Sequence, residues 1–173
     1  MKKGGIGGGN TKTGLLFEGR VSILDLLKSK AGYTINNDTV YYYGEQVAIC
    51  LGKHKLYKWL EVQGIDYKNI LSNKLLPDEA LYVIINNTLY VVEIKFQGVG
   101  GSVDEKLQTC DFKRKQYARL MAPLNIEVEY IYILNNWFRK SRYKDTLDYI
   151  ISVGCQYYFE YLPLQKLGLP IPE

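Results

Sequence analysis

The chain has 173 residues, 47% of them hydrophobic and 23% charged, with a formal net charge of +4. That length suits one domain with a proper core, and no apolar run approaches the ~20 residues that a membrane-spanning helix needs. A single histidine and three widely spaced cysteines argue against a histidine-rich metal site, a Ser-His-Asp triad or a disulfide scaffold, and the mild positive balance allows a polyanionic partner without demanding one.

The first residues, Met1 to Asn10 (MKKGGIGGGN), read together with Lys12 as a flexible basic arm, because glycine carries the greatest backbone entropy. Lys2, Lys3 and Lys12 suit a nucleic-acid backbone as well as they suit a merely disordered end. No apolar segment follows them, so the sequence predicts no secretory leader. With the odd cysteine count, that predicts a cytoplasmic protein whose thiols are small buried hydrophobes. From Thr13 the spacing of Leu16, Phe17, Val21, Leu24 and Leu27 predicts a helix ending near Ala31-Gly32, with Glu18 in its first turns. On the residues alone Glu18 is a solvated or dipole-complementing glutamate. Residues 33–51 predict strands, with a hairpin across Gly44-Glu45. A short helix follows from His54 to Gln63, closed by Gly64, with His54 on the surface.

Leu76 to Gln97 (LPDEALYVIINNTLYVVEIKFQ) reads as two strands reversed at Asn86-Asn87, where asparagine tolerates the positive φ of a tight turn. Folding there brings Asp78 towards Glu93 and Lys95. Alternation sends Val91, Glu93, Lys95 and Gln97 to one face and Val92, Ile94 and Phe96 to the other. Glu79 falls on the face opposite Asp78, and a one-residue slip would exchange the two. Two charges on so apolar a strand form an ion pair at an exposed edge, or they bind something, because burying unpaired charge is costly.

After the glycine-rich GVGG, Ser102 and Glu105 predict a capping box that starts a helix running to about Met121. Val103, Leu107, Cys110, Tyr117 and Met121 form its apolar stripe, and Lys106, Lys113, Arg114 and Lys115 its basic side. Ile126 to Leu134 alternates as a strand, and the preceding helix predicts that it lies parallel to the strand of Glu93. Asn135 to Lys144 then mixes amides, aromatics and cations. Asn135, Asn136, Arg139, Lys140 and Arg142 are of the types that contact phosphates or base edges; Trp137 and Phe138 either stack on bases or seal the end of the sheet. A helix over residues 146–153 and a strand over 156–162 complete the reading.

Pro77-Asp78, fourteen intervening residues, then Glu93-Ile94-Lys95 with Gln97 beyond resembles the signature of the PD-(D/E)XK nuclease superfamily. Through GVGGSVDEKL and the basic helix, residues 76–121 most resemble small type II restriction endonucleases. The resemblance implies an α/β fold with a restriction-endonuclease-like three-layer core, a central mixed β-sheet flanked by helices, all in one domain. It implies Asp78, Glu93 and the Ile94 carbonyl as ligands of Mg²⁺, Lys95 as the catalytic cation, and Gln97 in a supporting role. Glu18 corresponds to a glutamate that members often carry on their first core helix. A sequence-specific homodimer cutting double-stranded DNA follows, with Lys113, Lys115 and the 135–142 residues touching the nucleic acid. A structure-selective, junction-resolving nuclease is the nearer alternative, and a non-catalytic binding module with a plain Glu93–Lys95 ion pair the farther one.

Overall fold

Short β-forming runs, several of them ended by residues with a left-handed backbone, build the sheets of this structure, a computed structural model that describes residues 12–19 and 21–173. Strand β1 (Gly14–Leu16) and helix α1 (Ile23–Lys28) precede an antiparallel meander of β2 (Tyr33–Asn36), β3 (Thr39–Tyr42) and β4 (Glu45–Cys50). Asn37 (φ 55°) turns the first hairpin, and Tyr43 with Gly44 (φ 45° and 85°) turns the second. Helix α2 (Lys55–Val62) leads to the hairpin of β5 (Glu79–Val83) and β6 (Thr88–Lys95), in which Glu79 faces Val92 and Val83 faces Thr88. Its reversal lies where the sequence predicts it, with Asn87 in the left-handed region at φ 52°.

Helices α3 (Val103–Leu107) and α4 (Cys110–Met121) then cross over to β7 (Glu127–Leu134), which runs parallel to β6 as expected. Helix α5 (Lys144–Ser152) crosses to β8 (Gln156–Phe159), parallel to β7, and β9 (Tyr161–Pro163) returns to pair with β1. The central sheet is therefore seven-stranded and mixed, in the order β2-β3-β4-β5-β6-β7-β8. Its antiparallel and parallel halves meet at β6.

Alternation divides the core into two layers. Ala80, Leu89, Val91, Tyr130 and Tyr132 pack with Leu56 and Leu60 of α2 and with Cys110, Tyr117, Leu120 and Met121 of α4. Leu81, Val83, Val92, Ile131 and Ile133 pack on the other side with Leu15, Phe17, Ile23, Leu27 and Leu162. This is the three-layer α/β core with a mixed central sheet that the sequence predicts. Helix α1 has six residues, too few for a helix to persist alone in water. Ile23 and Leu27 are fully buried and contribute about 1.5–3 kcal/mol each, so packing holds it. Among the described residues no helix is long and apolar enough to cross a membrane. All three cysteines are buried and unbridged, and His54 lies on the surface.

Five expectations are corrected. The helix expected from Thr13 to Gly32 is replaced by β1, a break at Gly19 (φ 71°) and the short α1. The residues actually buried, Leu15 and Phe17, recur with the strand period of two. A β-carbon on Gly14 would come within 2.3 Å of the Tyr161 ring, so glycine there admits the partner strand. Ser22, not Thr13, caps the helix, accepting from the Asp25 amide at 3.1 Å. The expected capping box does not form, since the Ser102 side chain makes no capping bond. The single helix to Met121 is broken at Gln108–Thr109, where the Thr109 hydroxyl donates to the Lys106 carbonyl at 2.8 Å and draws the backbone away from continuous helix. The single strand expected over 156–162 is divided at Glu160 (φ 59°), so β8 and β9 belong to different sheets. Of the expected basic arm, all but Lys12 lies outside the described residues.

Candidate active site

The last rung of the β5–β6 ladder pairs Glu79 with Val92, so the chain positions of the next would set Asp78 opposite Glu93. Residues opposite one another in a ladder share a face, here the face covered by α4. Asp78 is held there by its flanks. The Lys53 amide donates to the Pro77 carbonyl at 2.8 Å. Upstream, the Tyr57 hydroxyl donates to the Leu75 carbonyl (2.7 Å) and accepts from the Leu75 amide (2.8 Å). The Lys74 ammonium lies over the rings of Tyr57 and Tyr67, 5.1 and 4.8 Å from their centroids.

One ammonium bridges the two acids. Lys95 Nζ is 3.0 Å from Glu93 Oε2 and 3.6 Å from Asp78 Oδ2. The other Glu93 oxygen, Oε1, accepts hydrogen bonds from Lys113 Nζ (2.9 Å) and from the Tyr130 hydroxyl. Oε2 is buried and accepts no hydrogen bond; its contact with Lys95 is ionic, without the alignment of a directed bond. The group forms a gradient from floor to rim, with the Glu93 side chain 6% exposed and that of Asp78 55%. Two carboxylates and two ammoniums balance in charge.

Burial pushes the Glu93 carboxyl up, but the Tyr130 hydrogen bond and the charges of Lys113 and Lys95 outweigh it and hold the group below its ordinary value. The Tyr130 phenol is driven far upward, first by burial and then by the neighbouring carboxylate, so it stays protonated and donates. Glu79 lies on the opposite face, as alternation predicts. Burial pushes its carboxyl up, and the Ile23 amide and Lys53 only partly oppose that.

As a cation site the donor set is of the right chemistry. Glu93 Oε2 is a buried carboxylate oxygen with no hydrogen bond, and hard oxygens suit Mg²⁺. The Ile94 side chain packs in the opposite layer, which leaves only its backbone carbonyl for the site. Among the described residues no three His, Cys, Asp or Glu side chains gather, so the fit rests on two carboxylates and the main chain.

The remaining residues singled out in the sequence are distributed as follows. Gln97 lies just past the end of β6, and its side-chain amide donates to the Val99 carbonyl. Glu18 is exposed and follows β1 rather than sitting on a helix. Lys113 turns inward to Glu93, whereas Lys115 is exposed and paired with Asp111 at 2.8 Å. The Asn135 amide clamps the Gln97 backbone from both sides, accepting from its N–H (3.2 Å) and donating to its carbonyl (2.8 Å). Asn136 accepts from Arg139 Nε at 2.9 Å. Arg139 stacks over Phe159 at 4.0 Å, and Lys140 lies 3.1 Å from the Trp137 ring centroid. Arg142 donates to the Tyr143 hydroxyl. Among the described residues none of Arg139, Lys140 and Arg142 forms an ion pair with a carboxylate. Trp137 and Phe138 seal the sheet's end, the indole donating to Tyr143 at 2.8 Å and Phe138 fully buried.

The reading of the sequence did not include Tyr130, nor Lys113 as a partner of Glu93. A signal existed for Lys113: it stands three residues after Cys110 and four before Tyr117, on the apolar stripe of α4, where a lysine needs an acid. Compared with known protein families, with curated proteins and with solved structures, the chain matches none.

Proposed function

We propose that this protein is a Mg²⁺-dependent endonuclease that hydrolyses phosphodiester bonds of double-stranded DNA, acting in the cytoplasm as a homodimer in the manner of a type II restriction enzyme. The observation that carries the reading is the pair Asp78 and Glu93 bridged by the Lys95 ammonium, with Lys95 on the same face of β6 as Glu93. Asp78, Glu93 and the Ile94 carbonyl would hold Mg²⁺, and the chemistry a bound ion would supply there is a more acidic water and compensation of phosphate charge. Asp78, on the exposed rim, meets the substrate side, and Glu93 anchors the floor. Lys95, released from the carboxylates, orients the attacking water or offsets charge growing on the phosphate. Arg139, Lys140 and Arg142, without carboxylate partners among the described residues, hold flanking phosphates and set the duplex in register.

The junction-resolving alternative has one observation in its favour. Asn135 and Asn136 already spend side-chain hydrogen bonds on the protein's own atoms, which weakens their case as base readers. One experiment addresses both readings: supercoiled plasmid and a four-way junction are each incubated with the protein in Mg²⁺ and in EDTA. Discrete plasmid fragments, lost in EDTA and in Lys95→Ala, are the expected result. Cutting of the junction alone would favour the alternative, and cleavage of neither would sink the nuclease reading.

A further inference from the structure

Glu93 has two oxygens with opposite surroundings. Oε1 faces the protein and is saturated, taking the Tyr130 hydroxyl from β7 and the Lys113 ammonium from α4. Oε2 faces Lys95 and Asp78 and takes no hydrogen bond at all. A carboxylate rotates about one torsion with little preference of its own, so something must decide which oxygen is turned outward. The Tyr130 ring is fully buried, 6.4 Å from that of Tyr117 and 5.5 Å from that of Tyr132, centroid to centroid. Its hydroxyl is therefore fixed in place, whereas Lys113 ends a flexible chain.

We infer that Tyr130 is a positioning residue that holds Glu93 Oε1 against the protein and presents Oε2 alone, so that Glu93 binds a divalent cation through one oxygen. The inference rests on the metal-dependent reading of the site. Partners that orient a metal ligand in this way contribute substantially to affinity, and removing one typically weakens metal binding about 10–100-fold. Tyr130→Phe deletes the hydroxyl and keeps the ring.

The test is calorimetric titration of the full chain with Mn²⁺ and with Mg²⁺, without DNA. In Tyr130→Phe, folded by circular dichroism, ion affinity is expected to fall at least about tenfold. In ¹³C-glutamate-labelled protein the Mg²⁺-induced gap between the asymmetric and symmetric carboxylate stretches should also narrow in the variant, because the freed Oε1 can join the ion. A merely structural role would not move that gap. Unchanged affinity and an unchanged gap, with a wild type that binds the ion, would overturn the inference and leave the metal site standing. Absence of ion binding by the wild type would overturn both. Should Tyr130→Phe fail to fold, infrared difference spectra of the ¹³C-glutamate-labelled wild type with and without Mg²⁺ decide the matter. A widened gap between the asymmetric and symmetric carboxylate stretches reports one-oxygen ligation, and a narrowed gap, reporting two, contradicts it.

Discussion

The layers on either side of the sheet each receive one glutamate at the same end of the β5–β6 hairpin, and they treat it differently. On the α4 side Glu93 is almost fully buried, yet its carboxyl is held below the ordinary value by Tyr130, Lys113 and Lys95. On the α1 side Glu79 is more exposed, yet burial raises its carboxyl, because the Ile23 amide and the charges of Lys53 and Lys55 do not outweigh burial and the neighbouring Asp78 carboxylate. Depth does not decide the outcome; the number and direction of donors does. Glu93 meets the Tyr130 hydroxyl and two ammoniums, whereas the donors around Glu79 leave its burial only partly offset.

The comparison is broken most sharply at the site itself. Lys95→Ala and Asp78→Ala should each fold, keep affinity for DNA and lose at least about hundredfold in cleavage rate in Mg²⁺, read from plasmid digestion. Wild-type rates in either would remove that pair from the site. Next come the cations of the 135–142 turn. Arg139→Ala and Arg142→Ala should weaken binding of any duplex alike and each reduce the slope of log affinity against log salt by about one. An unchanged slope would mean that these side chains only pack against Phe159 and Tyr143.

Acid titration sharpens the contrast with a smaller effect. The lowered Glu93 carboxyl contributes stability that is full above the unfolded-state value of about 4.3 and is lost as pH falls through its folded value. Urea unfolding of Glu93→Gln should therefore show a shallower loss of stability below about pH 4. The smallest effect belongs to Glu79→Gln. A raised carboxyl costs stability at neutral pH, and that cost vanishes in acid, so the variant should gain slightly in thermal midpoint at pH 7 and nothing near pH 3, with cleavage untouched. Loss of cleavage in Glu79→Gln would exchange the roles of Glu79 and Asp78.

What was legible in the sequence was local. The β5–β6 reversal could be read because Asn87 supplies a left-handed residue between two β-forming runs, and strict alternation then separates Glu93 and Lys95 from Ile94 and Phe96. The N-terminal helix was misread because Leu16, Phe17, Val21 and Leu24 satisfy a helical spacing, while the burial of Leu15 and Phe17 depends on β9, nearly 150 residues away. The break after Gln108 was hidden for a different reason: the apolar stripe runs on through it, and the turn depends on the Thr109 hydroxyl donating to the Lys106 carbonyl.

By itself the sequence determined the hairpin and the alternation of its side chains, since each follows from steric rules acting over a few residues, while the register that sets Glu79 against Val92 came from the tertiary structure. Only the tertiary structure decided that Tyr130 and Lys113 meet on one oxygen of Glu93, and that Asn135 spends its amide on Gln97. Those contacts join β6 to β7, α4 and the turn after β7, at separations of 20 to 38 residues. No local rule reaches so far; packing the crossover helix onto the sheet does.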